Sequence, residues 1–196
     1  MDIKKYIQDS VDTKTKILND EKILSAVKNI AFEIVKAYKN DKKVLTAGNG
    51  GSAGDAQHIA GELVSKFFFD RPGLSAFALS TDTSILTAIG NDYGYEKSFS
   101  RQIQANAKDG DVFIAISTSG NSKNIVLALE EAKKKGVITV GFVGEKFCEM
   151  DKYCDYIIHV PSFSTPTIQE SHIMLGHIVC ALVEETIFSR TGVLQK

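Results

Sequence analysis

The chain has 196 residues, 43% of them hydrophobic, with 23 basic against 24 acidic side chains and a formal net charge of -1. That length supports one sizeable core, and the balance of charge excludes the clustered basic surface that a nucleic-acid partner needs. The opening MDIKKYIQDS lacks the apolar centre of a signal peptide. No unbroken apolar run reaches the ~18 residues of a spanning helix, so no membrane partner is expected. Cys148, Cys154 and Cys180 are odd in number and show no C-x-x-C spacing. They read as reduced, buried thiols of a cytoplasmic protein rather than as a disulfide framework.

Two helices are expected first. Ile3, Tyr6, Ile7, Val11, Ile17 and Leu18 mark a weaker stripe, and Ile23, Leu24, Val27, Ile30, Ala31, Ile34, Val35 and Tyr38 a stronger one. Either stripe can face the core or another subunit. After Asn40-Asp41, short apolar runs alternate with helical segments. VLTA (44–47) precedes a helix from about Ser52, and SAFALS (75–80) precedes two short helices ending near Ala107. VFIAIS (112–117) leads to a helix from about Ser122, and VITVGFV (137–143) to a shorter one. YIIHV (156–160) is followed by a long helix from about Thr167 to Ser189. Apolar β-rich runs separated by helices predict a parallel sheet buried on both faces. The expected fold is α/β, a three-layer α/β/α sandwich of a single domain spanning 1–196, with a helical addition over 1–40.

Ligands of such sheets bind where strand ends lead into helix N-termini. Two loops there carry the right chemistry. Gly48-Asn49-Gly50-Gly51-Ser52 nearly fits a dinucleotide fingerprint, since Gly48, Gly50 and Ala53 make G-x-G-x-x-A. The acidic residue expected ≈ 20 positions on is missing, however, because the first acid after the next strand is Asp82. In Ser117-Thr118-Ser119-Gly120-Asn121-Ser122, hydroxyl donors and a permissive glycine precede a helix N-terminus, which are the ingredients of a phosphate site. A helix cap needs only one hydroxyl, and this loop has several.

His58 and Glu62 lie four apart on the helix after the glycine loop and share a face. The spacing suits two ligands of one metal, a base with its orienting partner, or a solvated polar pair. The last helix is apolar nearly all round yet holds Gln169, Glu170, His172 and His177. Polar groups buried there need partners, and a metal or ligand is one source. Gln169 and His177, eight residues apart, stand about 12 Å along and about 80° around a helix. Sharing an ion at ~2.0–2.1 Å would stretch both. A distorted helix start, or a site completed across a subunit interface, relieves this, and an oligomer is expected.

Taken together, the GNGGS loop with DAQHIAGEL, then GNDYGY, ISTSGNS and IQESHIMLGH resemble the phosphoheptose isomerases of the sugar-isomerase (SIS) domain family. The resemblance runs over essentially the whole chain. It implies a flavodoxin-like five-stranded parallel sheet and a homotetramer with active sites between subunits, in which residues 1–40 pack. It implies that Asn49, Gly50, Gly51 and Ser52 line the sugar, with Asn91 and Asp92 as further contacts. Ser117, Thr118, Ser119 and Ser122 match its phosphate loop. His58, Glu62, Gln169 and His177 match its zinc set, Gln169 also meeting substrate, with Glu62 and His177 the catalytic pair. Glu170 and His172 fall outside that set and remain supporting residues.

The activity implied is conversion of sedoheptulose 7-phosphate to D-glycero-D-manno-heptose 7-phosphate through an enediol or enediolate, for heptose of bacterial surface polysaccharide. Glu62 is the expected carbon base and His177 the oxygen-proton shuttle. Zinc-bound carboxylate loses basicity, so the two roles of Glu62 are in tension. One rival is a non-catalytic sugar-phosphate sensor or replication-initiation-associated factor of the same fold. Such a protein needs neither acid–base group, and both are in place here. Another rival is an isomerase of a different sugar phosphate.

Overall fold

The structure is a computed structural model and describes residues 2–189. Two helices come first, α1 (Ile3–Leu18) and α2 (Glu21–Lys39). Each opens on an aspartate, Asp2 and Asp20, whose carboxylate accepts two backbone N–H groups of the first turn. Then follow β1 (Val44–Gly48), α3 (Gly51–Val64), β2 (Ala76–Ala78), α4 (Thr83–Tyr93) and α5 (Ser100–Asn106). The chain ends with β3 (Val112–Ile116), α6 (Lys123–Lys134), β4 (Ile138–Val143), β5 (Tyr156–His159) and α7 (Thr165–Phe188).

All five strands run parallel in the order β2-β1-β3-β4-β5. This is the doubly wound order whose direction of winding reverses between β1 and β3. Alternate residues of β3 serve opposite cores, as a period of two requires. Val112, Ile114 and Ile116 pack under α2, α3 and α7, whereas Phe113 and Ala115 pack under α5 and α6. Both faces are covered, so the strands read as unbroken apolar runs. The three-layer sandwich expected from the sequence is the fold observed.

The two N-terminal helices part ways in how they pack. α2 belongs to the core layer, burying Ile23, Val27, Ile30, Ala31, Ile34 and Val35. α1 buries only Thr13 and Ile17 and leaves Ile3, Tyr6, Ile7, Val11 and Leu18 exposed. α7 is long and apolar enough to cross a bilayer. Polar residues interrupt it, so no single run revealed this. Its apolar residues Ile168, Leu175, Val179 and Val183 are core against α2 and α3, so it is a core helix.

Phe113 is fully buried on the middle strand. Phe113→Ala should cost about 3–5 kcal/mol, read as a lower midpoint in denaturant unfolding; a loss under 1 kcal/mol would contradict this core assignment.

Candidate active site

The reversal between β1 and β3 places the two suspected loops side by side at the strand ends. Gly48 closes β1 where a Cβ would lie 2.2 Å from the Ser52 carbonyl oxygen, so only glycine fits. Gly50 turns the chain with φ +55°, in the left-handed region, and α3 starts at once without a side-chain cap. The Asn49 amide exchanges 2.9 Å hydrogen bonds with the buried Asn124 amide and accepts one from the Tyr95 hydroxyl at 2.9 Å. Asn124 and Tyr95 therefore hold Asn49 in place. Nothing in the spacing of the sequence had singled them out.

In the second loop Ser122 stands at the N-cap of α6, yet its hydroxyl makes no capping bond. It pairs instead with Ser117 Oγ at 2.9 Å, and Ser117 reaches Ser119 Oγ at 3.4 Å. The hydroxyls are gathered on one another rather than used up by the helix. Gly120 (φ +64°) lets Cys148 pack where a Cβ would sit. Thr118 and Ser119 line a cavity of about 390 Å³ together with Lys146, Phe147 and Phe163.

Along α3, Gly51, Asp55, His58 and Glu62 fall on one stripe at intervals of four, three and four. α7 lies beside it. His58 Nε2 stands 3.1 Å from Glu62 Oε1 and 3.1 Å from His177 Nε2. The three ligand atoms all fall within 4.8 Å of one another. Tetrahedral bonds of 2.0–2.1 Å set ligand atoms about 3.3–3.4 Å apart; the two 3.1 Å separations from His58 are near that value, and the trio could hold a metal ion. No hydrogen bond among the described residues engages Glu62 Oε2.

Gln169 stands near the start of α7. Its amide lies against Gly51, where an added Cβ would meet Nε2 at 2.5 Å, two turns before His58. Asn91 and Asp92 are exposed at the end of α4 and bond each other at 2.8 Å. Glu170 and His172 each find a partner in the fold, although the buried His172 Nδ1 has none among the described residues. Glu170 pairs with Lys14 at 2.9 Å, and the fully buried His172 donates from Nε2 to the Val143 carbonyl at 3.1 Å. Burial lowers the His172 pKa to about 4 against the effect of that bond, so its ring is neutral.

Asp55 escaped the sequence reading, although its place on the ligand stripe was a signal. Its Oδ2 is buried without a hydrogen-bond partner among the described residues. Desolvation pushes the carboxyl up to about 6, with the neighbouring His58 pulling the other way.

The SIS domain family matches residues 5–144. A phosphoheptose isomerase of Aneurinibacillus thermoaerophilus is 62% identical over 186 residues, covering 95% of this chain and 94% of that one. Phosphoheptose isomerase 2 of Campylobacter jejuni is 60% identical over 188 residues, covering 96% and 94%. The solved structure of a phosphoheptose isomerase from Francisella tularensis matches with a TM-score of 0.89 at 32% identity, covering 93% and 96%.

The raised Asp55 pKa has a direct consequence for the metal-free protein. Below about pH 4 the group is protonated whether folded or not; above about pH 6 the folded state carries a carboxylate it disfavours. Asp55→Asn should therefore gain stability over wild type as pH rises from 4 to 7. The gain expected is about 1–2 kcal/mol after allowance for partial exposure. Urea unfolding at both pH values checks this; an equal difference at each would contradict it.

Proposed function

Because the chain belongs to the SIS domain family and to its phosphoheptose isomerases, we propose that it interconverts sedoheptulose 7-phosphate and D-glycero-D-manno-heptose 7-phosphate in heptose biosynthesis. The observation that carries the reading is one carboxylate and two imidazoles, His58 standing 3.1 Å from each of the other two, on α3, which runs from the glycine loop, and on α7 beside it. A sensor needs the fold but not this acid–base set, which favours the enzyme.

Aldose–ketose interconversion moves a proton between adjacent carbons. Glu62, through its free Oε2, is the base that takes the proton next to the carbonyl, and His177 moves the proton between the oxygens. Were Glu62 to hold the metal through one carboxylate oxygen, the other would remain available to the carbon proton, which eases the conflict between ligand and base. His58, Glu62 and His177 would hold a zinc ion, which when bound supplies an electrophile for the developing oxyanion. Ser117, Thr118, Ser119 and Ser122 take the phosphate. Asn49, Gly50, Gly51 and Ser52 take the sugar body, with Asn91 and Asp92 as further contacts. The place of Gln169 against Gly51 supports a sugar contact first and the zinc shell as its second role.

We also assign the protein to a homotetramer with sites between subunits. Glu62 lies eleven residues into α3 from Gly51, about 16 Å down the helix, a long reach for one heptose phosphate from the loops of the same protomer. The exposed apolar stripe of α1 supports the same reading. The chain is taken as a single domain, and its free thiols support a reducing, cytosolic setting.

Three outcomes follow. Purified protein should convert sedoheptulose 7-phosphate to an aldose by NMR, with solvent deuterium entering the carbon; no product in zinc-replete protein would overturn the proposal. Glu62→Gln should lower kcat by about 10²–10⁴-fold, and near-normal turnover would remove Glu62 as the base. Zinc at a hundred times its Kd should stabilise the fold by about 2.7 kcal/mol, an effect that His177→Ala should largely abolish in thermal unfolding.

A further inference from the structure

The trio is shared between two helices, so its geometry depends on what holds them together near Glu62 and His177. Between α3 and β2 the chain passes through residues 65–75, which form neither helix nor strand. Beneath that segment lies an ion pair unconnected with any role assigned above. The Glu184 carboxylate accepts the N–H groups of Phe67 at 2.7 Å, Phe68 at 2.6 Å and Phe69 at 3.4 Å, and Arg71 Nε at 2.9 Å. Arg71 donates its remaining nitrogens to the Leu63 carbonyl at 2.6 Å and the Glu62 carbonyl at 2.8 Å. The two side chains are only 2% and 1% exposed. Burial by itself would raise the Glu184 carboxyl, but the three backbone donors and the guanidinium overcome it and hold it below the usual range.

The connections this pair makes are specific. Arg71 takes the last carbonyls of α3, including that of Glu62, which a helix end leaves unsatisfied. Glu184 stands on α7 seven residues after His177, two turns along the same side. Phe67, whose N–H the carboxylate holds, sets its ring 5.7 Å from the His177 imidazole. One ion pair thus touches the backbone of one ligand, the helix of a second, and the residue packed against that second ring.

We propose that Arg71 and Glu184 are positioning residues of the metal trio. They clasp the end of α3 to α7 and seat Phe67 on His177, which sets the distance between the Glu62 carboxylate and the imidazoles. The inference rests on the reading of the trio as a zinc site. Outer partners that orient metal ligands commonly govern affinity by 10–100-fold.

The test measures zinc affinity of the full chain by competition with a chromogenic chelator, together with the imidazole ¹⁵N shifts of the metal-free protein. Arg71→Lys and Glu184→Gln should bind zinc about 10–100-fold more weakly and shift the His177 resonances. Phe113→Leu, which loosens the opposite face of the sheet, should lower stability and leave both readings unchanged. Phe67→Leu, which keeps the backbone bond to Glu184, should shift His177 on its own and serves if the ion-pair variants do not fold. Folded clasp variants with wild-type zinc affinity and wild-type His177 shifts would overturn the proposal, as would a Phe113→Leu loss of zinc affinity equal to theirs. If the ion-pair variants do not fold, unchanged His177 shifts in Phe67→Leu would overturn it. Wild-type protein that binds no zinc would defeat the metal reading instead, and the shifts would then decide the clasp alone.

Discussion

The close passage of α3 beside α7 is the contact on which the site depends. His58 and His177 are 119 positions apart in the chain and 3.1 Å apart in space. They meet because small residues let the helices approach. A Cβ on Gly176 would lie 2.7 Å from Ile59 Cδ1, and the Cys180 thiol rests 3.9 Å from the Ile59 carbonyl. Gly51 does the same at the other end, where the Gln169 amide fills the space of a side chain. Bulk at either position would part the helices, and the ligand atoms with them.

The sheet settles where the ends of these helices lie. A doubly wound parallel sheet delivers its loops to the carboxyl ends of the strands, and the reversal between β1 and β3 opens a crevice there. The glycine loop and the serine loop flank it. Their backbones are shaped by steric need, with Gly48 closed against Ser52 and Gly120 against Cys148. The Asn49–Asn124 pair then ties one loop to the start of α6, joining the two loops into one frame.

Such a site divides its labour. Hydroxyls and glycines sit on loops, where backbone can come close to a ligand. The carboxylate and imidazoles sit on helices, where packing holds direction. Polar residues of α7 that serve neither purpose are absorbed by the fold, as the bond of His172 to Val143 and the ion pair of Glu170 with Lys14 show.

Much of this was legible from the chain. Strand and helix order followed from local apolar periods, because a strand buried on both faces and an amphipathic helix each print their pattern within a few residues. Pairing of His58 with Glu62 was legible for the same reason, since one helical turn relates them. Contacts made across the fold were not. That Gln169 lies at the glycine loop while His177 meets His58, that Asn124 and Tyr95 hold Asn49, and that Arg71 reaches Glu184 all depend on how elements pack. Spacing along the chain carries no record of distance between helices. The sequence by itself determined the elements and the chemistry they could carry; only the packing of α3, α7 and the two loops on the sheet decided which side chains stand together.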